Sequence, residues 1–283
     1  MQAERHIPRL RHRADLRTLA LVALALIVLA GNWTGLLRHP ATIAASVGLS
    51  FICCIVAHNH MHAATFRGRR WNSLFQLVLM FGSGQPPTGI ITAHNERHHH
   101  EHESERDFVR TSLVGFRWNW LNLLVFPFAS IAAMAREKPG DLRRWKSSRP
   151  RLHRQALLER LIFYPVILTL LIGNPAATFC FLILPWLAAQ LMLVGINLLQ
   201  HQDCDAASEF DHSRNVTGRL TNWLLLNNGF HTAHHLRPAL HWSRLPEFHR
   251  HHVRPHINPA LDHPGILALV IERLRRPTAS HVR

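Results

Sequence analysis

ATIAASVGLSFICCIVAHNHMH, residues 41–62, decides how this chain is read. Its first seventeen residues carry no charge and run straight into His58, His60 and His62. An apolar run of this length is close to the roughly 20 residues a helix needs to cross a bilayer. Continued as a helix, it sets His58 and His62 on one face, four positions apart, and turns His60 to the opposite side.

Upstream, TLALVALALIVLAGNWTGLL (18–37) is another uncharged span. A secretory signal peptide is the alternative there, with Val28 and Ala30 before the cleavage point, but the apolar run continues past it. Downstream, two further spans are expected near 157–173 and 176–199. Only Gly173, Asn174 and Pro175 separate them, so they form a tight hairpin, and Pro185 is placed to kink the fourth helix. SLFQLVLMFG (73–82) and WNWLNLLVFPFASIAAMA (118–135) are weaker. They read as half-buried helices at the membrane interface, where Trp118 and Trp120 suit an aromatic belt.

The fold expected is an all-α integral membrane protein, with about four transmembrane helices capped by a cytoplasmic His-rich helical domain. Its divisions would be a basic tail at 1–17, one membrane domain at 18–249 and a basic tail at 250–283.

Charge supports this topology. The 283 residues are 47% hydrophobic and carry a formal net charge of +15. Five arginines stand in 1–17 and fifteen lysines plus arginines in 58–156, while the hairpin between the third and fourth spans has none. Positive-inside bias then places the N-terminus, 58–156 and the C-terminal tail in the cytoplasm, and the cell inner membrane is the expected location. The basic residues flank apolar spans and bring no helix-turn-helix, zinc-finger or RNA-binding pattern, so nucleic acid is not the expected partner. Cys53, Cys54, Cys180 and Cys204 show no CxxC spacing; buried inert thiols are expected, not a disulfide scaffold.

The 24 histidines are clustered. Beside HNHMH (58–62) stand HNERHHH (94–100) and HTAHH (231–235). On an α-helix His231, His234 and His235 share a tight face. His94 and His98 share another, with His99 rotated about 100° away. Neutral imidazole is the commonest protein metal ligand, and eight histidines from three clusters exceed what one ion takes, so two metals are expected.

HNHMH, HNERHH and HTAHH resemble the three histidine boxes, HxxxH, HxxxHH and HxxHH, of the membrane fatty acid desaturase and hydroxylase superfamily. The resemblance runs from about Ala41 to about His249 and includes AHNERHHHEH and HHLRPALHWSRLP. NLLQH (197–201) is similar to the family's additional ligand site, where a histidine binds metal directly and an asparagine four residues earlier binds through water. The resemblance thus implies nine ligands, His58, His62, His94, His98, His99, His201, His231, His234 and His235, with Asn197, holding two irons. Some positions depart from the pattern. Asn59 stands where the family often has an acid, which would loosen ligand orientation. On α-helical geometry His102 joins the face of His94 and His98 better than His99 does. Glu96, Glu101, Glu103, Asp203 and Asp205 are candidates to orient ligands, although a solvated role competes for most. His249, His251, His252 and His256 read as a solvated interfacial segment rather than a metal site.

The activity implied is O2-dependent desaturation of a fatty acyl lipid or an acyl carrier thioester. Hydroxylation of a lipid or hydrocarbon at the same site is the alternative, and a non-enzymatic metal carrier a third. The chain has no ferredoxin cysteine pattern, so an external ferredoxin or reductase would supply electrons. Arg67, Arg69 and Arg70 suit lipid headgroups or an acidic partner.

Overall fold

A computed structural model describes residues 7–275. Residues 1–6 of the tail expected at 1–17, and 276–283 of the tail expected at 250–283, lie outside the described residues. In chain order the α-helices are α1 (Asp15–Thr34), α2 (Pro40–His62), α3 (Arg69–Ser83), α4 (Asn119–Ser148), α5 (Pro150–Gly173), α6 (Pro175–Thr178), α7 (Leu184–His201), α8 (Arg219–Leu224), α9 (His231–Leu236), α10 (Leu245–Phe248) and α11 (Ile266–Arg275). A short parallel ladder pairs β1 (Asn215–Val216) with β2 (Asp262–His263). The chain divides into two compact units, Met1–Ile91 with Pro139–Gln190, and Thr92–Lys138 with Leu191–Arg283.

Four helical stretches are long and apolar enough to cross a membrane: Asp15–Thr34, Pro40–His62, Pro150–Gly173 and Pro175–His201. They are the four spans expected, and the protein is an all-α membrane protein. Their outward faces are apolar: Leu161 is 71% and Ile172 76% exposed, as lipid contact demands and water would penalise. Neither α3 nor α4 is among the four. α4 carries Trp120, Leu124, Phe128 and Ile131 outward.

The first unit is organised by buried polar clamps between apolar helices. Asn32, fully buried on α1, donates to the Thr42 carbonyl and to Ser46 Oγ of α2, at 3.1 and 2.9 Å. Leu29, Met80, Phe163, Leu182 and Trp186 pack into one core cluster. α3 stops at Gly84, whose φ of +73° favours glycine, and a Cβ there would stand 2.2 Å from Trp186. Glu159 of α5 is fully buried and accepts the Thr88 N–H at 3.0 Å, the Thr88 hydroxyl at 2.7 Å and the Gln155 amide at 3.1 Å. It therefore pins the turn Pro87–Gly89, just before the second histidine cluster.

The fourth span carries a π-helical interruption just before Pro185. α6 passes into a π-helical turn, Phe179–Ile183, before α7 begins. Pro185 has no N–H to give the carbonyl four residues earlier, and the wider turn sits where that bond is lost.

In the second unit, Asn215 of β1 fastens α9. Its Oδ1 accepts the Thr232 N–H at 2.9 Å, and its amide donates to Thr232 Oγ1 and Asp262 Oδ1. Gly229 lets the chain turn tightly into α9, because a Cβ there would lie 2.2 Å from the Val216 carbonyl oxygen.

Among the cysteines, Cys53 and Cys54 are buried, Cys204 is half-buried and Cys180 is exposed, so burial does not hold for all four; none forms a disulfide.

Candidate metal centre

α2 delivers the first pair. The His58 and His62 rings meet edge to face, 5.0 Å apart. His58 Nδ1 donates to Asn59 Oδ1 at 3.1 Å, which leaves Nε2 as the lone-pair nitrogen. Asn59 therefore orients its neighbour instead of loosening it. His60 turns away: its Nδ1 accepts the Thr65 N–H at 3.3 Å, and its ring meets Phe75.

The second cluster is not α-helical. Ile91–His98 is a π-helix, and the His99 N–H reaches the His94 carbonyl five residues back, at 3.1 Å. The wider turn carries His99 around to His94: their Nε2 atoms lie 3.0 Å apart. The rotation expected from α-geometry is thereby corrected. His234 of α9 joins them, Nε2 to Nε2 with His99 at 3.0 Å. One ring nitrogen each of His94, His99 and His234 lies within 4.8 Å of the others.

His98, His201, His231 and His235 form a second group with the same spacing. His98 is fully buried, and its Nδ1 donates to Asp107 Oδ2 at 3.0 Å. His201 Nδ1 donates to the His212 carbonyl at 3.0 Å, and its Nε2 lies 2.7 Å from His231 Nε2. Both anchors fix the tautomer and aim Nε2 into the group. The six residues of α9 thus serve both groups, His234 one and His231 with His235 the other.

Asp107 was not legible as a partner. It is fully buried and accepts the Val109 and Glu103 N–H groups as well as His98. Burial alone would raise its pKa, but His98 and these amides outweigh that and hold it below the usual carboxylate range. His98, His102 and Asp107 make a third possible ligand set that overlaps the second group. The His102 ring lies 4.4 Å from that of His201, and burial first, then His98, press its pKa down to about 4. Burial and the neighbouring imidazoles drive His235 well below the ordinary histidine value, so it stays neutral and ready to donate a lone pair.

Four of the five acids weighed as orienting residues bond to arginines or to loop groups. Glu103 accepts the Thr111 N–H and hydroxyl, Glu101 pairs with Arg97 and Arg106, Asp203 pairs with Arg273, and Asp205 accepts the Ala207 N–H; Glu96 is half-buried. Asn197 donates its amide to the Val109 carbonyl at 3.2 Å. In the tail, His249 is buried and donates to Asp262, which corrects the solvated reading for that residue. His252 stacks on Phe248.

The donor set fits a metal. Among the described residues, His98 Nε2 and His235 Nε2 are buried with no hydrogen-bond partner, a costly state unless an ion takes the lone pair. Ring nitrogens about 3 Å apart are also the spacing of two ligands about 2.1 Å from a common ion. Nitrogen-only sites suit iron, zinc, copper or nickel.

The sequence model of a family described as fatty acid desaturase matches residues 32–263. No curated protein matches the chain.

Proposed function

The chain belongs to the fatty acid desaturase family, and from that premise we propose that it is an O2-dependent membrane oxidoreductase that introduces a double bond into a fatty acyl chain. The supporting observation is the pair of histidine groups served by one short helix, with buried ring nitrogens whose opposite sides are anchored. Two irons would be held by His58, His62, His94, His98, His99, His201, His231, His234 and His235. When bound, iron supplies oxygen-dependent removal of hydrogen from an unactivated C–H bond, which side chains cannot achieve because alkyl protons are not acidic.

The chain's own residues do the positioning. Asp107, Asn59 and the His212 carbonyl each hold one ring nitrogen so that the other points inward. Burial and neighbouring imidazoles keep His235 neutral, which metal binding requires. Asn197, steadied through its amide, keeps Oδ1 to reach the metal through water. The substrate would be an acyl lipid or a carrier thioester, and electrons would come from an external ferredoxin or reductase. With four crossings, 63–149 and 202–275 would share one face of the bilayer, and the arginine bias supports assigning that face to the cytoplasmic side of an inner membrane.

Mass spectrometry of total fatty acids, from cells expressing the protein or His234→Ala, tests this. A species lighter by two hydrogens, absent with the variant, is expected. A species heavier by one oxygen would assign hydroxylation instead. Iron-loaded protein that alters no acyl chain when ferredoxin and its reductase are present would overturn the reading.

A further inference from the structure

We propose that the first unit carries a binding site for an anionic phospholipid, formed by Arg69 of α3 with Arg151, Arg154 and Leu158 of α5. These residues and Gln155 line a shallow, solvent-open depression of about 270 Å³. Among the described residues no carboxylate lines it. Among the described residues none of the three guanidinium groups has an ion-pair or hydrogen-bond partner. The nearest acid along α5, Glu159, is fully buried and already carries the bonds from Thr88 and Gln155. Three like charges brought to one depression repel, and a bound anion relieves that repulsion.

The shape of the site selects a lipid over a free ion. Arg151, Arg154 and Leu158 stand at i, i+3 and i+7 of α5, on one face. Leu161 continues that face one turn further. Leu158 and Leu161 are 43% and 71% exposed. The face therefore runs from cationic to apolar at the basic end of a membrane-crossing helix, matching a phosphodiester headgroup followed by acyl chains. Gln155 fixes the geometry by donating to the Ser73 carbonyl of α3 at 3.2 Å, which ties Arg69 to the two arginines of α5. The site lies in a different unit from His98, His201, His231 and His235, and it needs no metal.

The test uses the full chain, purified in a zwitterionic detergent and stripped of lipid. It is titrated with dioleoyl phosphatidylglycerol, dioleoyl phosphatidylcholine or inorganic phosphate, and native mass spectrometry counts what stays bound. Phosphatidylglycerol is expected to be retained in preference to phosphatidylcholine, and phosphate not to displace it. Each arginine near a lipid surface contributes about fivefold in affinity. Arg69→Gln should therefore weaken phosphatidylglycerol about fivefold, and Arg151→Gln with Arg154→Gln roughly 25-fold. Equal retention of the neutral lipid, displacement by phosphate alone, or unchanged affinity in the variants would overturn the proposal. So would arginine-dependent capture of an acidic acyl carrier protein without lipid retention. Should the double variant fail to fold, Arg69→Gln decides, because Arg69 is exposed at the start of α3.

Discussion

Asp107 stands eight positions beyond His99, yet it governs His98. Asp107→Asn keeps the shape but removes the charge and one acceptor, and loss of such a partner typically weakens metal affinity about 10- to 100-fold. Iron per chain, measured on the purified variant, should fall. His60→Ala should retain its iron, since that ring faces Thr65 and Phe75. His102 adds a pH dependence. Its pKa is about 4 when folded and about 6.5 when unfolded, so the unfolded chain takes up the proton more readily. Its contribution to the chelator-treated protein is full above pH 6.5 and declines as the pH falls towards 4. The melting temperature should therefore be lower at pH 5 than at pH 7. At this scale the histidines were legible, because residue type and repetition are written in the chain. Asp107 and the His212 carbonyl were not, because their proximity to His98 and His201 arises only on folding. One acid among those of HHHEHESERD carries no mark of its burial.

The elements split the same way. Length and hydropathy gave the four spans. The π-turns at Ile91–His98 and Phe179–Ile183 were hidden, since a single extra residue in a helical turn leaves no change in periodicity over so short a stretch. The π-turn at Ile91–His98 is what lets His99, five positions on, face His94. Glu159→Ala acts at the other end of this segment. It leaves the Thr88 N–H and hydroxyl buried without an acceptor, at a cost of about 1–3 kcal/mol each. The variant's thermal midpoint in detergent should drop, with Glu159→Gln falling less.

For the whole molecule, an even number of crossings is the testable quantity. A green fluorescent protein fused after the last residue of the full chain should fluoresce in a bacterial host, and an alkaline phosphatase fused there should be inactive. The opposite pattern would mean an odd count of spans or four spans in the reverse orientation, and a reporter at the N-terminus separates the two. The four spans were legible because the bilayer imposes one length on every span. The assignment of histidines to two groups was not, since it depends on how α9 is fastened by Asn215.

That fastening has a consequence for loading. α9 has six residues and supplies both groups, so an ion captured by His231 and His235 also fixes the backbone that presents His234. The second ion then meets a preorganised neighbour, and filling becomes cooperative. Titrated with ferrous ion, the protein should pass from empty to doubly filled with little singly filled form between.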